Sequence, residues 1–123
     1  MQERLKKEKE EQERLAAERQ VRIQREAANA MMEAVDAIAA KVEDNWRRPL
    51  NVSKGLIVYI RVQVARNGEV ISANVVKSSG DSYFDQSAEI AIKKASPLPI
   101  PTNPEFYEHI KVFDFKFNPD DLY

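Results

Sequence analysis

The pattern of hydrophobic and polar positions changes character twice along the chain. Residues 1–28 carry no apolar period: fifteen of them are Lys, Arg, Glu or Asp, and none is Gly, Pro or aromatic. Glu3–Lys7, Glu10–Arg14 and Glu18–Arg22 stand four apart in the favourable orientation, and Lys6–Glu10 and Lys9–Glu13 in the reverse one. Each pair adds about 0.2–0.5 kcal/mol to a helix. Leu5, Leu15, Val21 and Ile23 do not fall on an a/d heptad, so the segment reads as a solvated single helix or fraying stalk rather than a coiled-coil strand. From Ala30 onward Met31, Val35, Ile38, Val42 and Trp46, with Ala34 and Ala39 beside them, step by three and four. That spacing predicts a helix with one buried face, stopped at Pro49. The charged and amphipathic blocks are compatible with one continuous helix.

After Pro49 the period becomes two. In Gly55–Ala65 the residues Leu56, Val58, Ile60, Val62 and Val64 share a face, which predicts a strand. Arg66-Asn67-Gly68 predicts a tight turn, because Asn and Gly both tolerate positive φ. Glu69–Lys77 is the return strand. Phe84, Ala88, Ala91, Ile92 and Ala95 predict a helix over 82–95 whose small residues allow close approach to a sheet. The proline-rich Pro97–Pro104 segment is too stiff for helix or central strand, and the alternation in His109–Phe117 predicts a third strand, ended at Asn118-Pro119. The 82–95 helix returns the chain, so the third strand pairs most easily against the first. The fold expected is α+β: a three-stranded antiparallel sheet of order 2-1-3 with helices on one face. Residues 1–28 form a charged helical stalk, and 29–123 form the domain.

Composition narrows the chemistry. The 123 residues have a net charge of −1 and no cysteine, which excludes disulfides, thiolate metal sites and thiol nucleophiles, and gives no basic surplus for nucleic acid. The longest apolar run, Leu56–Ile60, is far too short to span a bilayer, and the N-terminus has no apolar signal-peptide core. His109 is the single histidine, and no second His or carboxylate pair stands near it at metal-ligand spacing. Asp120-Asp121 reads as a solvated turn.

The segment Ser78-Ser79-Gly80-Asp81-Ser82 has the composition of a phosphate loop or nucleophile turn, but it lacks the second glycine and lysine of the first and the flanking glycines of the second. Ser82-x-x-Asp85 is close to a capping box, and Gly80 supplies a loose dihedral. The segment is therefore expected to be a structural joint between strand and helix. Nothing in the sequence asks for a cofactor or metal, and no catalytic residue is assigned.

Several passages together resemble the C-terminal domains of the TolA family. They are W-R-R-P at Trp46–Pro49, VQVARNGEVISANVVKSSGD, FDQSAEIAI and the closing FKFNPDDL, and the match as a whole covers about residues 30–123 in order. The S-S-G joint followed by F-D-x-S-A is shared with TonB-type domains. The W-R-R-P lead-in, the tail and the charged helix, where TonB would carry a Pro-rich spacer, favour the TolA side. The resemblance implies a periplasmic domain whose anchoring segment lies upstream of Met1. It implies a role in the Tol–Pal system, coupling inner-membrane energy through TolQ and TolR to outer-membrane integrity and division. It implies TolB and Pal as partners, with colicins and a filamentous-phage minor coat protein exploiting the same domain. Some members carry a disulfide here, which this chain cannot form.

An open strand is a template for an added strand. The third strand is therefore the candidate partner site, comprising Tyr107, His109, Ile110, Lys111, Val112, Phe113, Asp114, Phe115 and Lys116. Its phenylalanines are either part of that site or core, in which case only the backbone is available. Two rival readings are a TonB-like transducer contacting outer-membrane receptors and a small enzyme, the latter with no acid–base pair to stand on.

Overall fold

The computed structural model describes residues 2–121. Leu122, the last position of the tail motif, lies outside the described residues, as do the side chains of Glu3 and Leu5. Helix α1 runs unbroken over Gln2–Asp44, about 65 Å at 1.5 Å per residue. Between Lys6 and Glu26 only Ile23 is even half-buried, whereas Ala27, Ile38 and Val42 are fully buried and Met31, Ala34, Ala39 and Trp46 pack partly against the core. The stripe expected from residue 30 thus begins one turn earlier, at Ala27. Val35, counted in that stripe, is 40% exposed.

Strands β1 (Val58–Val64), β2 (Val70–Lys77) and β3 (Val112–Phe117) form one antiparallel sheet of order β2-β1-β3. Val58, Ile60, Val62 and Val64 are fully buried on the face covered by α1 and by α2 (Ser82–Lys94). The other face carries Arg61, Gln63, Asn74, Asp114 and Lys116. Phe84, Ala88, Ala91 and Ile92 of α2 close the core from above.

The β1–β2 turn differs from a two-residue Asn-Gly turn. Asn67 keeps a negative φ while Gly68 is at +90°. Gly68 N–H donates to the Ala65 carbonyl and Ala65 N–H to the Glu69 carbonyl, the pattern of a type I turn followed by a left-handed bulge residue. The Pro-rich segment docks here: Leu98 N–H donates to the Gly68 carbonyl at 2.8 Å. A Cβ at Gly68 would stand 2.3 Å from the Leu98 carbonyl oxygen, so glycine is required both by conformation and by this contact.

Candidate functional site

The expected third strand splits into two parts. Asn103 accepts from Glu105 N–H, Pro104 sits at the first position of a 3-10 turn, and that turn runs into a short helix α3 (Tyr107–Ile110). Tyr107, His109 and Ile110 therefore lie on a helical turn and not on the sheet edge, and the strand begins at Val112 rather than His109. Tertiary contacts fix the turn. Ile110 is buried, the Tyr107 hydroxyl donates to the Val64 carbonyl at 3.1 Å, and Arg66 lies 4.6 Å over the Tyr107 ring. The signal was present in Asn103-Pro104-Glu105, an N-cap followed by Pro and an acid.

The ladder shows which groups of β3 face outward. Val64 N–H donates to the Lys111 carbonyl at 2.9 Å. With Ile60 opposite Phe115 and Val62 opposite Phe113, the antiparallel alternation turns the N–H and C=O groups of Phe113, Phe115 and Phe117 toward β1 and those of Val112, Asp114 and Lys116 toward solvent. Lys111 N–H is occupied by the Tyr107 carbonyl. Phe115 and Phe117 are core residues and Phe113 is half-buried, so the edge offers mainly backbone.

The opposite edge is less open. Val75 N–H of β2 donates to Glu89 Oε1 of α2 at 3.1 Å, and Val70 N–H to Ser96 Oγ at 2.9 Å. No such cover lies on β3 among the described residues. Its charges are partly matched. Arg61 holds Asp114 through two contacts of 2.9 and 3.2 Å, and the hydrogen bond to that carboxylate raises the Arg61 pKa. Lys111 pairs with Glu108 at 2.7 Å. Lys116 has no ion pair among the described residues.

The joint is built one residue away from the capping box expected at Ser82. Asp81 is the N-cap, accepting from Tyr83 and Phe84 N–H at 2.9 and 3.2 Å. Asp85 faces back into the loop and accepts from the Ser78 hydroxyl, the Ser79 hydroxyl and Ser79 N–H. Burial pushes the Asp85 carboxyl up, but these three donors together outweigh it and hold it below its ordinary value. Gly80, at φ +96°, makes the sharp bend. The serines and acids consume one another's hydrogen-bonding capacity.

A second polar cluster joins segments far apart in sequence. Trp46 donates to Ser87 Oγ at 2.9 Å and packs edge-on to Phe84 and Phe117, with ring centres 6.0 and 5.2 Å away. Arg48 lies over the Trp46 ring at 5.3 Å and forks onto Asp120, which also accepts from Gly55 N–H. That N–H, with the Arg48 guanidinium, lowers the Asp120 pKa. Asp120, expected to be a solvated turn residue, is instead held in this clasp, which nothing in either segment's sequence signals.

Among the described residues no group of three or more His, Cys, Asp or Glu gathers as a metal site, and no helix is long and apolar enough to cross a membrane. The family model described as TonB C terminal matches residues 35–117. The Tol-Pal system protein TolA of Pseudomonas aeruginosa is 34% identical over 64 residues, 52% of this chain and 18% of the relative, so the match spans under a fifth of that protein's length. A solution NMR structure of TolAIII bound to a peptide derived from the N-terminus of TolB superposes with a TM-score of 0.59 at 29% identity, covering 72% of this chain and 74% of that one.

Proposed function

We propose, from the premise that this chain belongs to the TonB C-terminal family, that it works as a TolA-type binding module rather than an enzyme. In this reading residues 29–123 form a periplasmic domain and 1–28 the end of a helical stalk, and the free β3 edge takes an extended segment from the N-terminus of a TolB protein. The carrying observation is the contrast between the edges: β3 presents the outward backbone groups of Val112, Asp114 and Lys116, whereas Glu89 of α2 and Ser96 just beyond that helix occupy donors of β2. Main-chain hydrogen bonds would supply the affinity. The wider role belongs to the same proposal: Pal as a further partner, TolQ and TolR as the inner-membrane partners, colicins and filamentous phage as exploiters, and outer-membrane integrity and division as the outcome. The unbroken charged helix α1 favours this over a TonB-like transducer with a Pro-rich spacer.

The test is Asp114→Pro, which removes an outward N–H where edge strands tolerate proline, beside Asp114→Ala as a control for the Arg61 pair. Titration with the N-terminal peptide of the same organism's TolB should lose binding in the proline variant and keep it within a few-fold in the alanine variant. Circular dichroism reports whether each is folded. Unchanged affinity in a folded Asp114→Pro protein overturns the reading.

A further inference from the structure

The exposure of Val35 is out of keeping with its angular position. At 100° per residue it lies only about 20° around α1 from the fully buried Val42 and about 40° from the partly buried Met31. It points to the core side and yet remains 40% exposed. Met31, Ala34 and Ile38 beside it pack against the core, and Val35 alone among them is left largely uncovered. A groove of about 390 Å³ lies there, walled on one side by Met31, Met32 and Val35 of α1 and on the other by Ile110, Phe113 and Asp114. Phe113 is the inward-facing β3 residue that stays half-buried, although Phe115 and Phe117 are buried. Asp114 carries outward backbone groups of the edge. The groove is therefore continuous with the place where a fourth strand would lie.

Strand geometry specifies what fills it. Residues paired across a ladder project from the same face. An added residue opposite Phe113 would enter the groove, and one opposite Lys116 would stand on the bare face of the sheet. On that face Asp114 is neutralised by Arg61, while Lys116 is left without an ion pair among the described residues.

We infer that α1 is half of the partner site, and that the site selects an extended segment with an apolar side chain facing Phe113 and Val35 and an acidic one beside Lys116. This rests on the edge-strand reading above. Methionine pairs such as Met31 and Met32 suit a wall that must adapt to its occupant. Because the same helix continues as the stalk, occupancy and the docking of α1 stabilise each other. By linkage the coupling is reciprocal: a segment that binds only the docked helix resists its detachment, and undocking α1 releases the segment.

The test uses the full chain and the TolB N-terminal peptide as probe. Met32→Glu and Val35→Glu alter exposed side chains, and Leu15→Glu on the stalk is the control. Each groove variant should weaken peptide binding at least tenfold, and Leu15→Glu should stay within twofold. Hydrogen exchange provides a readout that a bystander helix would not show: saturating peptide should slow amide exchange in residues 28–36 of the unaltered chain. If Asp114→Pro abolishes binding while both groove variants bind within twofold and exchange in 28–36 is unchanged, the groove inference is overturned and the edge reading stands. If Asp114→Pro binds as well as the parent, or the peptide fails to bind the unaltered chain, both fall.

Discussion

Asp85 is a buried charged side chain whose position is set by three donors from the preceding loop. Replacing it with Ala leaves the Ser78 hydroxyl and the Ser79 donors without their acceptor, which should cost about 3 kcal/mol in urea unfolding at neutral pH. The sign of the pH dependence follows from the direction of its shift. The folded-state pKa lies below the ordinary carboxylate value, so the stabilisation is present above about pH 4 and is lost as pH falls through the folded value. An Asp85→Asn protein should therefore show a flatter loss of stability between about pH 5 and pH 2 than the parent. An equally steep acid limb in both proteins would show that other carboxylates govern it. Trp46 teaches the same lesson about context: its indole reaches Ser87 and the Phe84 and Phe117 rings, a placement invisible from the four residues around it.

At the scale of elements, the contrast between sheet edges is made by side chains from neighbouring helices. Glu89 of α2 reaches round to the Val75 N–H, so one helix both covers the core and blunts an edge, a common defence against unwanted strand addition. Glu89→Ala should lower stability by about 1 kcal/mol and leave TolB-peptide affinity within twofold, because the proposed binding edge is on the other side of the sheet. A large loss of affinity in that variant would place the site on β2. The short helix α3 shows a complementary effect. A sequence that alternates apolar and polar residues from His109 onward is drawn into a helical turn because Ile110 is buried there and Tyr107 caps the Val64 carbonyl.

For the whole molecule, the helix that enters the domain has two unlike halves. Lys6–Glu26 contributes almost nothing to the core, while Ala27 onward is packed. Helices without tertiary contacts are marginal in water, and stability within a structure follows local burial. Heating should therefore remove part of the far-UV helical signal before the fluorescence of Trp46 changes, since that residue sits among Phe84, Phe117 and Arg48 in the packed domain. Coincident melting curves would show that the charged half is held by the fold after all.

The sequence by itself determined the long helix, the three strands, the 82–95 helix and their order. The change from period 3.6 to period 2, the Arg66-Asn67-Gly68 turn and the small-residue face of α2 are local properties, and chain direction then left β1 as the natural centre of the sheet. It also marked β3 as a candidate open edge and 78–85 as a joint between strand and helix. Only the tertiary structure decided which edge is blunted, where β3 begins, that Asp81 rather than Ser82 caps α2, and that Arg48 clasps Asp120 across 72 positions. It also revealed Val35 facing an unfilled groove. Periodicity reports which way a side chain points along its own element. It holds no information about what stands opposite, and the partner site proposed for this protein lies in that gap between elements.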